Sequence, residues 1–222
     1  MGVIKMHNAA PIISLSVGEP KDFRWQGREE KSAICKKPIQ EVLLTKEGFI
    51  GDGVANHEFH GGPERAVCLY PFEHYSLWEK EFKIPLQLPA FGENITIAGM
   101  TEADVYIGNI YKLGTAVVQI SQGRVPCSTI SKHNAIDELL KRIVDTGYTG
   151  YFFRVLEEGM VFENSHMQLV EENEKKVSIL FANQTLFHDR KNKEAIEKIL
   201  EVEELASVWH EKLKRELQKE QL

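Results

Sequence analysis

His60-Gly61-Gly62-Pro63-Glu64-Arg65 runs straight into Ala66-Val67-Cys68-Leu69-Tyr70, a loop of turn-formers that empties into an apolar run of β type. Paired glycines followed by proline disfavour both a helix interior and a central strand, so the first six residues read as a tight connection. The five that follow have the composition of a short buried strand. Working outward, similar runs recur at Ile12-Ile13-Ser14-Leu15-Ser16-Val17, Val42-Leu43-Leu44, Asn94-Ile95-Thr96-Ile97, Ala116-Val117-Val118-Gln119-Ile120 and Gly150-Tyr151-Phe152-Phe153-Arg154-Val155, divided by Gly, Pro and Asn. That rhythm favours a barrel or sandwich over a doubly wound sheet.

Two helices are expected among the strands. Residues 71–81 begin with proline at a first turn and put Tyr75, Leu77, Trp78 and Phe82 on one side. Residues 135–145 carry Ile136, Leu139, Leu140 and Ile143 at three- and four-residue spacing. After Val170 the composition shifts. Glu171-Glu172-Asn173-Glu174-Lys175-Lys176 reads as an exposed linker, and helical patterns follow over 177–187, 193–199 and 203–221. Leu205, Val208, Trp209 and Leu213 form the stripe of an amphipathic helix. The expected organisation is a mainly β domain over 1–171 with a few helices, and a small three-helix bundle over 172–222.

Composition excludes several functions. The 222 residues hold 27 basic and 33 acidic side chains, a formal charge of −6. Nucleic-acid binding demands a basic surface, so no nucleic-acid partner is expected. No apolar run approaches the roughly 18 residues of a membrane span. The N-terminal stretch lacks the long apolar core of a cleavable signal. Cys35, Cys68 and Cys127 are odd in number, widely spaced and without a CxxC pattern, which suits a reducing compartment. The expectation is a cytoplasmic protein.

The chemistry centres on Arg124-Val125-Pro126-Cys127, where a strand breaks at Gln122-Gly123. A thiolate is the nucleophile and the soft-metal ligand, and nearby cations favour that form. The competing reading is a buried structural thiol, the usual state of a free cysteine. Cys68 lies inside an apolar run and reads as core, while Cys35, before Lys36 and Lys37, reads as non-catalytic. The long connection from Ile50 to Ala66 carries His57, His60 and Arg65 beside glycines, a pattern that suits anion binding. Glu93 and Asn94 either satisfy loop amides or contact a polar ligand. Dinucleotide, Walker, nucleophile-elbow, HExxH and iron–sulfur motifs are all missing from the sequence.

Several stretches together resemble the MOSC (molybdenum cofactor sulfurase C-terminal) domain family. They are Gly51-Asp52, His60-Gly61-Gly62-Pro63-Glu64-Arg65-Ala66-Val67, Tyr70-Pro71-Phe72-Glu73-His74-Tyr75, Phe91-Gly92-Glu93-Asn94, Val105-Tyr106-Ile107-Gly108, Pro126-Cys127 and Thr146-Gly147-Tyr148-Thr149-Gly150-Tyr151. Their order is the family's, and they cover most of residues 10–170. The tail, with Phe187-His188-Asp189-Arg190-Lys191, is similar to that of a bacterial branch linked to resistance against 6-hydroxylaminopurine. Departures are Val54 and Asn56 where the family has Gln and Asp, Gly123 where proline is common, and Ser128-Thr129-Ile130-Ser131 in place of a lysine-containing stretch.

The resemblance implies a MOSC-type β-barrel whose Cys127 ligates molybdenum of the molybdenum cofactor (molybdopterin) or holds a persulfide. By the same analogy Lys36, His60, Arg65 and Arg124 hold the pterin phosphate, with Asn94 and Gln122 orienting it. Pyridoxal phosphate is not expected, because the chain lacks the large domain that would carry a Schiff-base lysine. The activity implied is reduction of N-hydroxylated compounds, including hydroxylamino base analogues, with electrons from a flavin or iron–sulfur partner reductase. The alternatives are a persulfide sulfur or cofactor carrier without redox turnover, and a binding module whose helical tail docks a partner.

Overall fold

A computed structural model describes residues 9–25, 28–55 and 61–219. The chain begins with β1 (Ala9–Val17), a hairpin of β2 (Lys21–Trp25) and β3 (Arg28–Ser32), then β4 (Lys37–Pro38), β5 (Glu41–Thr45) and β6 (Gly48–Phe49). A single 3-10 turn, Pro63–Arg65, leads into β7 (Val67–Pro71), α1 (Glu73–Phe82), β8 (Ile95–Ile97), β9 (Ile110–Leu113) and β10 (Ala116–Gly123). Next come α2 (Thr129–Asn134), α3 (Leu139–Thr146), β11 (Tyr151–Glu157), β12 (Gly159–Phe162) and β13 (His166–Glu171). The tail is α4 (Ile179–His188), α5 (Lys193–Leu200) and α6 (Ser207–Lys219).

The strand order is β13-β9-β10-β11-β7-β8-β1-β4, and β13 also pairs with β1, which closes all but β4 into a barrel. Every pairing around the ring is antiparallel except β7 with β8. Closure removes the exposed edges that short strands would otherwise present. Alternation decides which side chain faces where. Val67 and Leu69 on β7, with Tyr151 and Phe153 on β11, are fully buried in the barrel core. Tyr70 points the other way, into a second core with Trp78, Phe91, Ile130, Leu139 and Ile143, beneath α1, α2 and α3.

Two helix expectations shift. Pro71 ends β7 rather than opening α1, because it is still in register with Ile97 of β8 and the Phe72 N–H donates to the Ile97 carbonyl at 2.7 Å. The helix expected over 135–145 starts late, as α3 at Leu139, and a separate short helix, α2, precedes it outside the expected range. Ala135 takes a left-handed conformation (φ 53) that ends α2. The tail helices fall where periodicity put them: α4 starts two residues later than expected and α6 four, while α5 keeps its start and gains one residue at its end. Their buried face, including Ile179, Ala182, Leu186, Ile199 and Trp209, joins the barrel core in one continuous cluster. The 171–176 segment is mostly exposed, but Asn173 is pinned by Asn109 and Glu204. Among the described residues no helix is long and apolar enough to cross a membrane.

Candidate functional site

Outside the barrel wall formed by β7, β11 and the end of β10 lies a cavity of about 610 Å³. The β2–β3 hairpin, the 47–55 segment, the 61–66 segment and the start of α2 complete its lining. Lys36, Arg65, Asn94, Arg124 and Cys127 all border it, although 91 positions separate the first from the last. Lys31 adds a further cation, while Glu47 and Asp52 are the lining acids. His57 and His60 lie outside the described residues, as does Asn56.

Asp52 organises one wall. Its Oδ1 accepts from the Gly18 N–H at 2.8 Å and from Lys36 Nζ, and its Oδ2 accepts from Asn94 Nδ2 at 2.9 Å. The Lys36 and Asp52 side chains are only 6% and 14% exposed. Asn94 also donates to the Ser16 carbonyl at 3.2 Å and accepts from the Cys68 N–H at 3.0 Å. Its amide is therefore engaged with the chain itself, and its role here is to hold the wall. The neighbouring Glu93 follows the amide-satisfying reading. Fully buried, it accepts from the Phe91 N–H at 3.0 Å, Thr96 Oγ1 at 2.8 Å and the Tyr75 hydroxyl.

Arg124 borders the cavity where the chain leaves β10. Its N–H donates to the Gly150 carbonyl at 3.0 Å, which fixes the chain as it leaves β10. Its Nη1 is shut off from solvent and has no hydrogen-bond partner among the described residues. Burial by itself weakens the charge of this guanidinium. Electrostatic interaction with Cys68 and Cys127, then with Glu93 and Tyr70, outweighs that and raises its pKa. A buried cation with an unspent donor is the local signature of an anion site. Cys127 is half-buried, three residues on, and its carbonyl accepts from Ile130 at the first turn of α2. A salt bridge from Lys132 to Glu30, at 2.6 Å, ties α2 to the hairpin.

Gln122 does not border the cavity. It is 3% exposed, and its Nε2 donates to the Gly123 carbonyl at 3.1 Å. Gly123 itself has a steric explanation. A Cβ at that position would lie 2.0 Å from Asn183 Oδ1 and 2.9 Å from Trp209, so only glycine lets the tail seat against β10. Gly61 is similar at the rim. With φ +81 it brings the loop against Val54, whose Cγ2 stands 2.9 Å from where a Cβ would be.

Sequence reasoning missed two members of the site. Cys68, read as core, borders the cavity, and burial pushes its thiol pKa up against the opposing influence of Arg124. Strand alternation carried the signal, since Val67 and Leu69 point into the barrel and leave Cys68 facing outward. Asp52 was placed within the family-like Gly51-Asp52 step and given no role in the site. Cys35 is exposed, with its Sγ 3.7 Å from His133 Nδ1.

A family model for the MOSC domain matches residues 56–168, and one for the YiiM-like 3-alpha helix domain matches residues 177–220. YflK of Bacillus subtilis (strain 168) is 44% identical over 199 residues, covering 89% of this chain and 90% of its own. A Gibberella moniliformis protein named Reductase is 36% identical over 159 residues, 69% of this chain but 28% of that one. The crystal structure of YiiM from Geobacillus stearothermophilus superimposes with a TM-score of 0.80 at 36% identity, over 94% of this chain and 99% of the other.

Proposed function

Because the chain belongs to the MOSC domain family and carries its YiiM-like three-helix tail, we propose that the cavity binds the molybdenum cofactor and serves reduction of N-hydroxylated compounds. The observation that carries this reading is the solvent-shielded, unpartnered Nη1 of Arg124 in the same cavity as Cys127. The lining suits the group. Lys31, Lys36, Arg65 and Arg124 outweigh Glu47 and Asp52, so the field favours a phosphate. Among the described residues no three His, Cys, Asp or Glu side chains cluster to hold a metal alone. Cys127 would offer the metal of the group a soft thiolate from the chain.

When bound, the cofactor supplies two-electron oxygen-transfer chemistry that side chains cannot perform. The rest falls to the chain. Arg124 and Arg65 hold the anionic end, and Arg124 stabilises the thiolate form of Cys127 by proximity of charge. Asp52 keeps Lys36 and Asn94 in place, so the wall is rigid before the ligand arrives. Electrons come from a separate flavin or iron–sulfur reductase, since the sequence carries no motif for either. The name of the Gibberella relative is consistent with redox chemistry and says nothing of substrate.

The test is metal and pterin analysis of protein from a cofactor-competent host, with N-hydroxylaminopurine reduction assayed beside a partner reductase. Stoichiometric molybdenum and pterin, lost with activity in Cys127→Ala, is the expected result. Wild-type activity in Cys127→Ala removes the thiol from the mechanism. A sulfur-mass adduct on Cys127 that reductant removes, with no metal present, favours a persulfide carrier instead.

A further inference from the structure

Glu64 stands in the middle of the segment that borders the cavity, yet its side chain leaves it. Gly61, Gly62 and Arg65 line the cavity, whereas the Glu64 carboxylate turns to the first residue of α6. Oε1 accepts from Arg154 Nη2 at 2.9 Å and from the Ser207 N–H at 3.1 Å. Oε2 accepts from that same N–H at 3.0 Å and from Ser207 Oγ at 2.5 Å. The Glu64 carbonyl accepts from Ser121 Oγ, also at 2.5 Å.

The surrounding bonds close the joint. Arg154 Nη1 donates to Gln119 Oε1 at 3.0 Å and to the Glu204 carbonyl at 2.7 Å. Ala206 N–H donates to the Ser121 carbonyl at 2.9 Å. A lone surface ion pair would carry little weight. This carboxylate instead answers a guanidinium, a hydroxyl and a helix-end amide, with its side chain 32% exposed and that of Arg154 21%. The 3-10 turn is Pro63–Arg65, with the Arg65 N–H donating to the Gly62 carbonyl at 2.8 Å, so displacing Glu64 displaces Arg65 directly and Gly62 through Pro63.

We infer that Glu64 is a positioning residue of the cavity, and that docking of the C-terminal helices and occupancy of the cavity by an anion are coupled through it. The inference rests on the anion-binding reading above. Releasing the carboxylate from Ser207 frees the turn and spreads the positions open to Arg65. Conversely, an anion that fixes Arg65 fixes the turn, and with it the acceptor beneath α6. Linkage makes the two effects equal in size.

The experiment uses the full chain as wild type, Glu64→Gln, Glu64→Asp and Ser207→Ala. Calorimetry with inorganic phosphate at fixed ionic strength gives anion affinity. Amide exchange over residues 207–210, with and without phosphate, gives tail docking. Iodoacetamide labelling of Cys127 reports the cavity without any anion. Phosphate is expected to slow exchange over 207–210 in wild type. Glu64→Gln should lower phosphate affinity about fivefold or more, abolish that protection and change the Cys127 labelling rate. Glu64→Asp, which keeps the carboxylate, should recover most of each effect. Faster exchange in Glu64→Gln with phosphate affinity and Cys127 labelling both unchanged overturns the coupling. Failure of wild type to bind phosphate sinks the anion reading and the coupling with it, and an unchanged Cys127 labelling rate in Glu64→Gln then removes the positioning role as well.

Discussion

Two buried charges lie close together in this molecule and are treated in opposite ways. Glu93 is sealed in the protein and has a donor for each oxygen: Phe91 N–H, Thr96 Oγ1 and the Tyr75 hydroxyl. Arg124 borders the cavity, and its Nη1, equally cut off from water, has no partner among the described residues. A chain that satisfies one buried ion completely has the means to satisfy the other. Leaving a donor unspent costs stability, and on a residue that borders a cavity lined by further cations this one is placed to meet an anion. The contrast separates the residues that build this site from those that serve it.

The largest expected effect breaks the first half of that contrast. Glu93→Ala strands the Phe91 amide and two hydroxyl groups in a sealed space, and should cost on the order of 3–5 kcal/mol in urea unfolding. Arg124→Met should do the reverse. Exchanging a buried cation that has one donor unspent for an apolar side chain should leave stability within about 1 kcal/mol of wild type, or raise it. Pterin content should nevertheless vanish. A severe loss of stability in Arg124→Met would place that side chain with Glu93, among the builders.

Lys36 tests the boundary between the two classes, because it borders the cavity and is also paired. Lys36→Met leaves Asp52 with only the Gly18 N–H and Asn94 Nδ2, and should cost about 2–3 kcal/mol. Adding Asp52→Asn should return a good part of that loss, as a double-mutant cycle on a coupled pair requires. Additive losses would mean the ion pair contributes nothing to the wall.

The barrel was legible in the sequence because each strand announces itself locally. Runs such as Ala116 to Ile120 and Gly150 to Val155 need no partner to be recognised. Closure of β1 on β13 was not legible, since pairing between Ala9 and Gln168 leaves no local trace. The small α2 was missed for a related reason. It begins just after Pro126, lasts six residues and takes its stability from Ile130 packing in the second core. At the site, charge and family spacing pointed to Lys36, Arg65, Arg124 and Cys127, and all four border one cavity. They could not tell that Glu64 faces the tail, that the Gln122 amide stays beside Gly123, or that Cys68 faces outward. Those outcomes depend on which side of a strand or turn a residue occupies, and a single position's shift reverses them.

Cys68 gives the finest test of the contrast, because it borders the cavity yet is held as tightly as Glu93. It is 7% exposed, its N–H and carbonyl are both bonded to Asn94, and burial raises its pKa. A raised folded value means the folded state keeps its proton longer than the unfolded chain does. Stability from this group is therefore intact below the unfolded thiol value, near 8.5, and declines as pH rises past it. Tyr70, Tyr75 and Tyr151 are raised by burial too, but their decline starts only above about 10. The urea midpoint should thus begin to fall between about pH 8.5 and 10, and Cys68→Ala should fall less over that window. Iodoacetamide at pH 8 should label exposed Cys35 well before Cys68. Equal labelling of the two, with no change in slope in Cys68→Ala, would show that the Cys68 thiol communicates freely with solvent. It would then belong with Arg124, among the groups held open for a ligand.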